Sequence, residues 1–114
     1  MDYQLKEEGK FKYLEEGEGE PLLLLHGLFG ALSNFSHLVE FFRKTHKVIV
    51  PLLPLFELDL LHTTVGGLQK FVKRFIEFRD YNHIHLLGNS LGGHVALVYV
   101  LKNPERVKSL ILTG

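Results

Sequence analysis

The sequence predicts a three-layer α/β fold, a mostly parallel sheet with helices on both faces and an antiparallel hairpin at the N-terminus. Three observations predict it. The apolar runs Leu22–Leu25, Lys47–Val50 and Ile84–Leu87 lack alternation, as strands covered on both faces do. The segments between and after them carry apolar residues at helical spacing. Glycine-rich turns, His26–Gly30 and Gly88–Gly93, follow two of the strands.

Taken in order, residues 2–16 alternate charged with aromatic or aliphatic positions, as at Phe11, Lys12 and Tyr13, and Gly9-Lys10 breaks the run. This reads as a hairpin with one wet face. Residues 17–21, Gly-Glu-Gly-Glu-Pro, form a turn. Leu22–Leu25 suits a strand or a short helix by composition, and the glycine turn that ends it favours the strand. Residues 33–44 place Phe35, Leu38, Val39 and Phe42 on one helical face, with Ser33 or Asn34 as cap. Lys47–Val50 is a strand ended by Pro51. Residues 64–79 repeat Leu68, Phe71, Val72, Phe75 and Ile76 at helical intervals, and Thr64 caps the start. Phe71, Phe75 and Phe78 read as core or interface. Asp59 and Asp80 fall in loops, Asp80 capping a turn. The strand to Leu87 leads to a helix from Leu91 to about Lys102, stopped by Asn103-Pro104, and Val107–Thr113 is the last strand.

The composition narrows the function classes. With 114 residues the chain has enough length for one domain of modest core, and 1–114 is read as such. Thirteen basic and thirteen acidic side chains cancel, so no basic stripe points to nucleic acid. The absence of cysteine excludes thiol catalysis, disulfides and cysteine-ligated metals. The charged start is unlike a secretory signal, and the longest apolar stretch, Val48–Phe56, is short and broken by prolines. A cytoplasmic protein without membrane attachment or cofactor is the expectation. His83 and His85 alternate along a strand with no converging acidic neighbour, so no metal site is expected.

The chemistry centres on Ser90, in Gly88-Asn89-Ser90-Leu91-Gly92-Gly93. A serine on a tight strand-to-helix turn adopts a strained backbone and lifts its hydroxyl out of the fold. Strand and helix atoms crowd the positions two before and two after it, which are Gly88 and Gly92. The N–H of Leu91, at the positive end of the helix, faces any oxyanion formed at Ser90. A second donor comes from the His26–Gly30 loop. The N–H of Leu28 is in place for it, and Gly27 and Gly30 let the backbone approach a substrate closely. His26 precedes that loop and is expected to brace it by side-chain hydrogen bonds. His94, one helical turn after Ser90, is read as a packing or solvent-facing residue.

These motifs resemble the N-terminal part of the α/β-hydrolase fold superfamily. His26-Gly27 is similar to its oxyanion loop, the glycine-flanked Ser90 to its nucleophile elbow, and Pro104–Val107 to the region after the nucleophile helix. The resemblance implies hydrolysis of an ester or related bond through an acyl-enzyme on a small-molecule acyl substrate. It also implies the chain order nucleophile, acid, histidine. Between Ser90 and Gly114 the acidic residue is Glu105 and the histidine is His94. Glu105 falls in a helix-to-strand turn and matches the family's exposed loop, not its acid. The family's fold is therefore expected to be incomplete here, truncated after the strand that follows the nucleophile helix, without the usual acid and histidine. Pro51-Leu52-Leu53-Pro54 stands where many relatives carry a glycine-serine turn. Serine at the elbow argues against epoxide or haloalkane opening through an alkyl ester. Two readings follow: a serine hydrolase whose complementing C-terminal half supplies acid and base, or an inactive pseudo-hydrolase or interaction module that assembles, as a homodimer, through its exposed last strand.

Overall fold

The computed structural model describes residues 3–27, 32–54 and 64–114, with the backbone alone for 32–34. Among the described residues six strands form one sheet: β1 Lys6–Glu8, β2 Phe11–Glu16, β3 Glu20–Leu25, β4 His46–Pro51, β5 Ile84–Asn89 and β6 Val107–Thr113. Their spatial order is β1-β2-β4-β3-β5-β6. The hairpin is antiparallel and joins β4 antiparallel, whereas β4, β3, β5 and β6 run parallel. The described α-helices between them are α1 Leu32–Phe42, α2 Val65–Arg79 and α3 Leu91–Lys102.

The predicted three layers are present, and the leucine run shows why. Leu22 and Leu24 face a core shared with Phe35 and Val39 of α1, while Leu23 and Leu25 face Leu68, Val72, Val95 and Tyr99 of α2 and α3. A strand packed on both faces has no wet side, so its pattern cannot alternate. Each such leucine contributes roughly 1.5–3 kcal/mol of hydrophobic stabilisation.

Several boundaries differ from the sequence expectations. β3 starts at Glu20 and includes Pro21, because the pairing of Glu20 with His46 carries the ladder beyond the apolar run. β4 includes Pro51, opposite Tyr13 of β2. Ser33 and Asn34 lie inside the first turn of α1, since the helix begins at Leu32, and so do not precede it as caps. The hairpin is not wet on one whole face. Lys12 is exposed, but Leu14 is fully buried in the α1 core because β2 has joined the central sheet. Asp59 lies outside the described residues.

Elsewhere the local chemistry works as read. Thr64 Oγ1 accepts the Gly67 N–H at 2.9 Å and caps α2. Asp80 ends α2 in the left-handed region, its own N–H bonded to the Glu77 carbonyl, so its backbone makes the turn. Asn103 closes α3 with both its N–H and its side-chain amide on the Tyr99 carbonyl, and Pro104 starts a single 3-10 turn, Pro104–Arg106. Among the described residues, no helix is long and apolar enough to cross a membrane.

One polar network was not visible in the sequence. Arg79, at the end of α2, donates to Glu8 at 3.0 Å, Glu15 at 3.3 Å and the Tyr81 hydroxyl at 3.2 Å, and stacks over Tyr13. Tyr81 donates to Glu15 at 2.8 Å and Lys6 binds the same carboxylate at 2.7 Å. Tyr13 donates to Glu8. The network fastens the hairpin to α2. Burial, with help from Glu8, pushes the Tyr13 hydroxyl up to about 12. Burial alone would raise the Glu15 carboxyl, but the Lys6 and Tyr81 hydrogen bonds and the Arg79 charge outweigh it and hold Glu15 below its usual range. A carboxylate depressed in the folded state contributes stability that is present above its unfolded value, near 4.5, and is lost as pH falls through the folded value. Thermal unfolding midpoints will therefore fall between pH 5 and pH 3, and Glu15→Gln will flatten that part of the profile while lowering the midpoint at pH 7.

Candidate functional site

The chain runs from β3 to β4 on one side of the sheet and then returns to β5 on the other side of β3. This reversal opens a crevice at the carboxyl ends of β3 and β5, the place where open α/β sheets bind ligands. The pairing of Leu25 with Gly88 brings the two glycine-rich turns side by side there.

The β5–α3 turn is built by close backbone approach. A Cβ added to Gly88 would lie 2.4 Å from the Gly92 carbonyl oxygen, and one on Gly92 would lie 2.2 Å from the Leu25 carbonyl oxygen. No larger residue fits either position. The first turn of α3 is thereby seated on the end of β3. Between these glycines Ser90 sits at φ 57° and ψ −121°. For a residue other than glycine this conformation costs about 1–3 kcal/mol and is held only by its surroundings. Its carbonyl accepts the Gly93 N–H at 2.9 Å and the His94 N–H at 3.3 Å, and its own N–H donates to the Thr113 carbonyl at 3.0 Å. The Ser90 side chain makes no capping bond to α3, and the residue is exposed.

The loop after β3 meets this turn at Gly27. A Cβ there would sit 3.2 Å from Ser90 Cβ and 3.5 Å from Ser90 Oγ, so the bare backbone packs directly against the serine side chain. His26, 6% exposed, holds the loop from beneath. The Leu53 N–H donates to its Nε2 at 3.1 Å, so that nitrogen is an acceptor and the proton resides on Nδ1. Nδ1–H in turn donates to the Gly27 carbonyl at 3.0 Å. The imidazole joins the end of β3 to the chain leaving β4.

Leu91 opens α3 and is half-buried. Its N–H belongs to the first helical turn, where no helical carbonyl is available as acceptor and the helix dipole is positive. Leu28 and Gly30 lie outside the described residues. His94 is exposed, one turn along from Ser90, and Glu105 lies in the 3-10 turn before β6 at the opposite end of the sheet. Among the described residues, no histidine or carboxylate is hydrogen-bonded to Ser90 Oγ.

Two features escaped the sequence reading. One is the link from His26 to Leu53, whose only sequence signal is the closeness of both to strand ends. The other is the contact of Thr113 with the Asn89-Ser90 turn. His85 also differs from expectation: an acidic neighbour does converge on it, since its Nε2 is 3.6 Å from Glu20 Oε2. Glu20 pairs with His46 in the β3–β4 ladder, two residues before Leu22, the partner of His85, and is shared with Lys108 at 2.7 Å. Among the described residues, no group of three or more histidine and carboxylate side chains is arranged to hold a metal ion.

Comparison with known proteins identifies the fold family. A family model described as the alpha/beta hydrolase fold matches residues 20–114. The chain belongs to the α/β-hydrolase fold family. It is 34% identical over 109 residues to Lipase 1 of Psychrobacter immobilis, covering 90% of this chain and 34% of that protein. It is 28% identical to a 2-hydroxy-6-oxononadienedioate/2-hydroxy-6-oxononatrienedioate hydrolase of Paraburkholderia xenovorans, covering 94% of this chain and 40% of the other. Among solved structures, an alpha/beta hydrolase enzyme from the metagenome of sediments of the Mar Chica lagoon, Morocco, superposes with a TM-score of 0.91 at 47% identity, covering 97% of this chain and 52% of that one. The chain thus spans 34% to 40% of these two curated relatives' length.

The glycine contacts make a stability prediction. Gly92→Ala places a methyl group inside the Leu25 carbonyl contact and will lower stability by roughly 3 kcal/mol or more. Gly27→Ala, whose new contact is 3.2 Å, will cost less than about 1 kcal/mol. Urea denaturation of the two variants checks the difference.

Proposed function

We propose that this chain carries the nucleophile of a serine hydrolase acting on a carboxylic ester or related acyl bond of a small molecule. In this reading residues 1–114 are one domain, the first part of an α/β-hydrolase. Ser90 Oγ attacks the carbonyl carbon and forms an acyl-enzyme. The N–H groups of Leu91 and Leu28 hold the oxyanion of the tetrahedral intermediate, and His26, Gly27, Gly30, Gly88 and Gly92 shape the two loops that bring them together. The acid and the histidine base that complete the reaction lie outside these 114 residues.

The observation that carries the reading is Ser90 itself: an exposed hydroxyl on a strained, positive-φ turn, with Gly27 against it. Strain of this kind is uncommon where a residue serves only as a turn. A related family member named a lipase and another named a hydrolase of an oxo-diene dioate support an ester or carbon–carbon bond as the target. By itself the chain is a slow catalyst. Loss of the base of a serine enzyme costs on the order of 10⁶ in turnover, and what the oxyanion hole and binding retain is about 10³–10⁴ over water.

A second reading has its own observation. β6 pairs only with β5 among the described residues, and it exposes Ile111 and Leu112, with Leu97 and Leu101 of α3 alongside, Leu101 at 72%. An edge strand apolar on both faces recruits other chains. An inactive module would use it to assemble as a homodimer.

A fluorophosphonate probe separates the two. The hydrolase reading expects covalent labelling that Ser90→Ala abolishes and that Gly27→Ala slows by about tenfold through crowding at the hydroxyl. No labelling of the chain, alone or with a complementing half, removes Ser90 as nucleophile. Sedimentation velocity tests the edge: assembly predicts a concentration-dependent shift to a larger species that Leu112→Lys suppresses, and a monomer at all concentrations removes the homodimer.

A further inference from the structure

We propose that Thr113 is a positioning residue for Ser90, acting through Asn89 and through its own carbonyl. The proposal rests on the assignment of Ser90 as nucleophile and adds to it a group on a different strand, distant in sequence from the turn it holds.

The backbone of Ser90 is fixed from two sides. On its carbonyl side the first turn of α3 holds it, through the N–H groups of Gly93 and His94. On its amide side the bond runs to β6: Ser90 N–H donates to the Thr113 carbonyl at 3.0 Å. A residue at φ 57° has a nearby, more relaxed alternative, so the amide-side bond matters for where the hydroxyl points. The Thr113 carbonyl continues the β5–β6 ladder, and a side-chain contact beside it braces that end of the strand. Thr113 Oγ1 donates to Asn89 Oδ1 at 3.0 Å, and Asn89 and Thr113 are register partners of the β5–β6 ladder. The two contacts close a small ring through Asn89, Ser90 and Thr113. The next residue, Gly114, lies directly on the turn at φ 115°. A Cβ there would be 2.9 Å from Ser90 N and 3.1 Å from Asn89 Oδ1. β6 therefore ends as a backstop for the Asn89–Ser90 peptide.

Thr113 is exposed, as are the neighbouring residues of β6, and buries little apolar surface. Removing its hydroxyl alters the turn more than the core. That separates positioning from general stability and makes the idea testable without turnover.

The experiment measures amide hydrogen exchange of Ser90 by NMR, with the fluorophosphonate labelling rate in parallel. In Thr113→Val, which keeps shape and loses the donor, the Ser90 amide will exchange about fivefold faster, while Leu23 and Leu86 in the central strands stay unchanged. Thr113→Ser, which keeps the hydroxyl, will restore the wild-type rate. Asn89→Ala will match Thr113→Val, and the double variant will show no more than either alone. Labelling, where present, will slow in the same proportion. An unchanged Ser90 amide in Thr113→Val, additive effects in the double variant, or equal acceleration at Leu23 and Leu86 overturns the proposal. Failure of the wild type to label, both alone and with a complementing half, removes the nucleophile assignment instead, and the exchange rates still decide whether Thr113 holds the turn.

Discussion

The start of α3 rests on the end of β3 with no side chain between them. Gly92 lies where any Cβ would strike the Leu25 carbonyl, and Gly88 lies where any Cβ would strike Gly92. This backbone-to-backbone contact sets the spacing of the two loops at the top of the sheet. It brings Gly27 against Ser90, it points the positive end of a helix at the crevice, and it keeps Ser90 from relaxing into an ordinary helical start. A single methyl group at either glycine would push helix and strand apart and undo all three consequences together.

Such a contact needs a rigid floor. The central strand supplies it through four consecutive leucines that divide between two cores, one under α1 and one under α2 and α3. Because both faces are filled, β3 cannot slide by one residue without exchanging two cores, which fixes the register with β4 and β5. His26 extends that rigidity past the strand end, its two ring nitrogens joining Gly27 to Leu53. The Arg79 network performs a similar service at the hairpin, through charge and hydrogen bonding in place of apolar packing.

β6 combines two properties that are usually separate. Its outer edge and both faces carry exposed apolar side chains, and its end carries the carbonyl that holds the Ser90 amide. A chain that packed along β6 would therefore press on the strand that backs the turn. In the proposed reading, assembly at this edge and reactivity at Ser90 meet at Thr113.

Much of the fold is legible in the residues themselves. The unalternating runs gave strands because burial on both sides removes the polar positions, and the spacing from Leu68 to Ile76 gave α2 because one helical face packs on the sheet. The misplaced boundaries share a cause. Glu20, Pro21 and Pro51 belong to strands through pairing with neighbours, which a local pattern does not record. Leu14 likewise became core only because β2 joined β4.

The candidate site divides in the same way. Ser90 and its flanking glycines announce themselves locally, since a tight turn forces small residues at fixed offsets from its apex. The meeting of the two glycine-rich loops is readable from the strand–helix alternation, whereas that His26 reaches Leu53 and that Thr113 closes on Asn89 follow from the order β4-β3-β5-β6. Chain periodicity encodes which residues are buried. Which distant residues touch is set by how strands sort across a sheet, and that depends on every layer packing at once.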